Sequence, residues 1–70
     1  MDEMFDCDGK RIHEGELIII VNRPDIVAIS ADYWTIFDVL VYGVYTDFVL
    51  KNCVTNEILI LPQSNIKRTY

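Results

Sequence analysis

Short runs dense in β-branched and aromatic side chains, cut by Asn, Asp, Gly and Pro, limit what this chain can become more than any other feature. The densest is Leu17-Ile18-Ile19-Ile20-Val21. It is followed by Ile26-Val27-Ala28-Ile29, the stretch from Val39 to Tyr45, Phe48-Val49-Leu50 and Ile58-Leu59-Ile60-Leu61. Such side chains lose rotamer freedom against a helical turn and pack well on a pleated surface. Bounded by turn residues, runs of this length predict strands. The expected class is all-β: a small, strongly curled antiparallel sheet of five or six strands closed into a barrel.

The punctuation predicts the order of elements. Residues 1–8 form an acidic arm expected to pack only through Met4 and Phe5, and residues 9–70 form the single barrel domain. Asp8-Gly9 and Glu14-Gly15 read as turns around a short extended piece, because Gly supplies positive φ and Asp bonds its own backbone. Strand 16–22 has five consecutive apolar residues, which predicts cover on both faces. Pro24 breaks the ladder, a second strand spans 26–31, and Asp32-Tyr33-Trp34-Thr35 forms an aromatic loop. Residues 36–45 are the longest strand candidate, bent or bulged at Gly43. A turn at 45–47, a strand 48–54, a hairpin tip at Thr55-Asn56 and a strand 57–61 follow. A helix within 31–42, capped by Ser30 or Asp32, is the alternative for that part of the chain.

Length and charge narrow the functional classes. A chain of 70 residues makes one domain. At that size only about 60% of the surface exposed by the unfolded chain is buried on folding. The composition is 51% apolar. That is more hydrophobic side chain than one small core absorbs, so a partner or self-association is expected. The competing reading leaves Tyr and Ile half-exposed on strands without consequence. Eleven acids against six bases give a net charge of -5, a field that repels phosphate backbones. Nucleic acid is therefore a disfavoured partner. The basic pairs Lys10-Arg11 and Lys67-Arg68 would make one small positive spot if the termini meet. No stretch approaches the ~18 apolar residues of a membrane span, and the acidic amino terminus is unlike a secretory leader. The expected location is the cytoplasm, with Cys7 and Cys53 as free thiols. The alternative is a bridge between them that staples the arm to a late strand.

The ends carry a resemblance. Ile58-Leu59-Ile60-Leu61, Pro62, the turn Gln63-Ser64-Asn65 and a last strand from Ile66 to Thr69 resemble the ending of Src-homology-3-like barrels. The opening from Asp8 through Glu14-Gly15 to Leu17 is similar to the start of many small barrels of that class. The resemblance is one of topology, touches roughly a third of the chain, and implies a five- or six-stranded barrel.

Little here points to catalysis. Asp6-Cys7-Asp8-Gly9 has the opening of a calcium loop, but Lys10 and Leu17 stand where that loop needs ligands. A plain turn explains it better. Cys7, His13 and Cys53 lack the short spacings of zinc sites, so neither metal nor cofactor is expected. With one His and nothing to orient it, an enzyme is not expected. Nor is a small-molecule substrate, since a barrel this small seldom encloses ~300 Å³ or more.

The aromatics suggest binding instead. Tyr33, Trp34, Tyr42, Tyr45 and Phe48 are the candidate partner-binding residues, because rigid aromatics give large contact area at small entropic cost. The competing reading puts Trp34 in the core and the tyrosines on the flank. Asp25, Asp32 and Asp47 are candidates for steering the encounter. The expected function is non-catalytic binding to a larger protein, by an aromatic patch or by strand addition at an edge. Small accessory or inhibitor proteins of bacteriophages offer the analogy. The alternatives are a structural homo-oligomer and a small barrel that binds or mimics nucleic acid.

Overall fold

The structure, a computed structural model, describes residues 4–27 and 33–69. It is mostly β and holds two antiparallel sheets. Strands β1 (Met4–Phe5) and β2 (Arg11–Ile12) form a small ribbon. Strands β3 (Leu17–Ile20), β4 (Trp34–Tyr42), β5 (Tyr45–Asn52), β6 (Ile58–Pro62) and β7 (Ile66–Arg68) form a sheet in the order β6-β5-β4-β3-β7. The described strands leave that sheet open, with β6 and β7 at opposite edges, so the expected closed barrel is not formed among them.

One face of the sheet is the core. Ile18 and Ile20 of β3, Trp34 and Ile36 of β4, Phe48 and Leu50 of β5, Leu61 of β6 and Ile66 of β7 are buried together with Ile12. Cross-strand partners on this face include Ile36 with Leu50, Phe48 with Leu61 and Ile20 with Ile66. Period-two alternation would carry this face to residue 38, but the register shifts between Ile36 and Asp38. Phe37 is thus the extra residue of a β-bulge. Beyond it odd-numbered residues take the inner side: Val39 lies opposite Phe48.

Several sequence expectations need correction. The turn in the long ribbon lies at Gly43-Val44, not at 45–47, and separates two strands where one bent strand over 36–45 was expected. Tyr42 and Tyr45 pair across a two-residue loop whose first residue, Gly43, has φ 61°. That is the type II′ pattern, which matches strand twist and demands Gly in the first position. Ile26 and Val27 belong to α1 (Pro24–Val27), a single turn, rather than to a strand. Proline pre-sets helical φ at a first turn, the Ile26 amide donates to the Arg23 carbonyl, and Ile26 packs on the core. The remainder of the expected strand 26–31 lies outside the described residues. The run at 17–21 is not covered on both sides, since Leu17 is exposed and Ile19 half-buried. Cys7 and Cys53 are free.

Two short polar side chains set the turns. Asn52 is buried, and its Oδ1 accepts from the amides of Val54 and Thr55 at 2.7 and 2.9 Å. This Asx-type cap turns the chain from β5 into β6. Asn56 closes the turn with φ 64°. Asn52→Ala is expected to cost about 1–2 kcal/mol, read as a lower denaturation midpoint at unchanged slope. Asn52→Asp, which keeps the acceptor, should lose less. The turn Gln63–Asn65, a 3-10 turn, feeds β7, and the buried Asn65 donates its Nδ2 to the Val21 carbonyl.

The arm is more than a pair of packed apolar residues. Asp6 is fully buried, which no local feature of the sequence signals. Its Oδ1 accepts from the amides of Asp8 and Lys10 and its Oδ2 from the amide of Arg68. Burial pushes this carboxyl up, but the three amide donors outweigh that and hold it below the usual carboxylate range. Hydrogen bonds to the charged form favour that form.

Candidate functional site

Parity along β4 and β5 decides which side chains face outward. In β5 the even residues Phe48 and Leu50 are buried, so Tyr45, Asp47, Val49 and Lys51 take the other face. Beyond the bulge, β4 places Asp38, Leu40 and Tyr42 beside them, and β6 adds Ile58 and Ile60. Where β4 and β5 run past the core, their inner residue Val41 is exposed as well. The tip therefore presents Val41, Tyr42, Val44 and Tyr45 together, with Val44 at 93% and Tyr45 at 73% exposure. Gly43, required by the turn, sits among them. Phe37 leans out from the bulge with the Lys51 ammonium 5.8 Å from its ring centroid. That is within the range of a weak cation–π contact.

The aromatic candidates separate accordingly. Tyr42 and Tyr45 meet at the tip, and Tyr33 is exposed at the far end of β4. Trp34 and Phe48 are core residues, so neither offers a partner any surface; Trp34 begins β4 instead of standing in a loop. The alternation that buries Ile36 also turns Trp34 inward. Among the acids, Asp47 stands half-buried near the tip. Asp25 is held by Arg23, whose Nε and Nη2 donate to its two oxygens at 3.1 and 3.0 Å. The Arg23 hydrogen bonds lower the carboxyl of Asp25. Asp32 lies outside the described residues.

Val41, Val44, Phe37, Ile58 and Ile60 were not singled out from sequence. A signal for the tip was present: Tyr42-Gly43-Val44-Tyr45 is a glycine loop between matched aromatics. Phe37 carries no such mark.

A concave feature lies on the inner side of the same ribbon. A cleft of about 400 Å³ runs between β2 and the hairpin, lined by Met4, Ile12, Ile36, Val39 and Val41 among others, with Arg11, His13, Glu14 and Asp38 at its polar margin. A volume of this size was not expected in so small a chain.

The two basic pairs do meet. The Arg68 Nη1 donates to the Arg11 carbonyl, but Arg68 Nη2 faces Glu16 and Lys67 faces Asp8, each at 3.6 Å. Nearby carboxylates thus offset both carboxyl-terminal cations. The Cys7 thiol is pushed up by burial, with Asp8 and Asp6 adding to the shift. Among the described residues, no group of three or more His, Cys, Asp or Glu could hold a metal ion, and no helix is long and apolar enough to cross a membrane.

Comparison with known proteins leaves the geometry to speak for itself: no family model, no curated protein and no solved structure matches this chain.

Proposed function

We propose that this protein is a non-catalytic binding module that inserts the apolar tip of its β4–β5 hairpin into a pocket on a larger protein. The observation that carries this reading is the tip itself, where Val41, Tyr42, Val44 and Tyr45 project past the core on a hydrogen-bonded ribbon. Exposed apolar clusters mark interaction sites, and tyrosines on a rigid support make contact at little entropic cost. Asp38 and Asp47 on the same ribbon add a negative flank that favours a basic rim around the receiving pocket. The accompanying scaffold reading is the Src-homology-3-like class. It is supported by the strand order, the bulged β4 and the 3-10 turn before the last strand. A small accessory or inhibitor protein of the bacteriophage kind is the biological setting that this design suits, by analogy alone.

The test is site-specific photo-crosslinking in the source cell. A photoreactive group at Val44 should join the protein to one larger species, and the same group at Val54, beyond the opposite end of β5, should not. The double variant Tyr42→Ser, Tyr45→Ser should lose that product while its thermal midpoint moves little, since exposed positions change stability by within about 0.5 kcal/mol. Equal labelling from Val44 and Val54 would remove the tip from the mechanism.

A further inference from the structure

The two edges of the main sheet are treated differently. At β7, the outward backbone groups are already engaged: the Ile66 carbonyl accepts from the Cys7 amide at 2.8 Å, and the Arg68 amide donates to the Asp6 carboxylate at 3.0 Å. At β6, the direction of the backbone follows from one bond. The Asn52 amide donates to the Glu57 carbonyl at 2.8 Å, so residue 57 points toward β5. In an antiparallel ladder the groups alternate in direction. Leu59 and Leu61 therefore face β5, while the amides and carbonyls of Ile58 and Ile60 face away from it. Pro62 also faces away, with a carbonyl and no donor. Among the described residues β6 has a strand neighbour on one side only. An open apolar edge is a template for another strand.

We infer that β6 pairs antiparallel with β6 of a second copy, forming a two-fold dimer in which the two five-stranded sheets become one. Register, charge and closure each favour a second copy as the occupant. A two-fold axis beside Ile60 sets Ile60 opposite Ile60 of the other chain, and each gives and receives one backbone bond. The same register brings the Ile58 amide to the Pro62 carbonyl of the second copy, a contact that needs no donor from Pro62. The strand Ile58–Pro62 is uncharged, and Glu57 falls opposite Gln63. Two chains that each carry a net -5 thus meet along a neutral seam. Like charges directly opposite on paired strands would oppose such pairing. Because Asp6 and Cys7 cap β7, an edge of β6 cannot add to β7 of the next molecule. Head-to-tail growth into rings or filaments is blocked, and the assembly closes at two.

The seam is small, a strand of five residues with its flanks. Its area sits at the low end of protein interfaces, which places dissociation in the micromolar range or weaker. The seam and the hairpin tip are different surfaces, so the two proposals stand or fall separately.

Sedimentation equilibrium from about 1 µM to about 1 mM spans that range. The expected mass rises from 8.1 kDa toward twice that value and stops there. Ile60→Pro removes only an outward amide and should stay at the monomer mass throughout, with an unchanged circular dichroism spectrum. Should the proline variant fail to fold, Ile60→Lys serves instead, since it sets two like charges beside the axis and should also remain monomeric. Val44→Asp should dimerise as the wild type does. A wild type that stays monomeric to the highest concentration would overturn the inference. So would growth beyond the dimer, dimerisation of a folded Ile60→Pro or of Ile60→Lys, or loss of the dimer in Val44→Asp.

Discussion

Trp34→Ala is expected to remove about a third or more of the free energy that holds this chain folded. Trp34 is 1% exposed and lies between Ile18 of β3 and Asn52 of β5, so its indole joins the first strand of the sheet to the hairpin ribbon. Truncating a buried aromatic costs about 3–5 kcal/mol through lost transfer energy and the cavity left behind. At the usual stability per residue, a chain of this length holds roughly 4–10 kcal/mol in total. One substitution therefore removes about a third of that margin at the least and, at the low end of stability, all of it. Urea denaturation followed by circular dichroism is the appropriate readout, since the only tryptophan is gone. Trp34→Phe should keep most of the packing and lose about 1–2 kcal/mol. A midpoint for Trp34→Ala within error of wild type would return this side chain to the surface and undo the assignment of the core.

Asp6 makes the second large prediction, and here the size of the effect depends on pH. Its carboxylate holds three amides, two in its own loop and one on β7. Asp6→Ala leaves all three without that acceptor and should cost at least about 3 kcal/mol at neutral pH, since each bond to a charged group contributes ~1.5–3 kcal/mol and burial of the carboxylate offsets part of the sum. Asp6→Asn retains one oxygen and should lose less. Burial raises the carboxyl and the amides lower it by more, so its folded pKa lies below the ordinary value of 3.8. The stabilisation is thus complete above the unfolded pKa and is lost as pH falls through the folded one. Wild type and Asp6→Asn should differ clearly at pH 7 and converge in strong acid. A constant difference across that range would show that the charge is not what Asp6 contributes.

Much of the strand content was legible in sequence because composition and spacing report on local packing. The run at 17–21 contains β3, and Ile58–Pro62 with its turn and last strand fell within a residue of expectation. What failed required knowledge of distant partners. The bulge at Phe37 is visible only against the register of β5, since the extra residue resembles its neighbours. Without it, alternation carried on from Ile36 would put Asp38, Leu40 and Tyr42 inward and Val39 and Val41 outward. Asp6 looked like one acid among several in an arm. Its burial depends on an amide of Arg68, 62 positions away. The aromatic candidates divided for the same reason: Tyr42 and Tyr45 flank a turn that glycine marks locally, whereas Trp34 and Phe48 are drawn inward by strands that no short window contains. The helical turn at Pro24–Val27 was hidden by a composition suited equally to a strand.

The single inserted residue at Phe37 also bears on how this molecule can diversify. Below it, even-numbered positions of β4 answer to the core; above it, the outer half of the ribbon follows its own phase. Loss of that one codon would straighten the ribbon and still leave Val39 and Val41 inward beside Ile36, with Leu40 and Tyr42 outward and every pairing with β5 unchanged. Point changes near Gly43 likewise leave the lower half in frame. Descendants of this sequence can therefore rewrite the end of the ribbon by substitution, and can shed the bulge by a single deletion, without moving either half off its face.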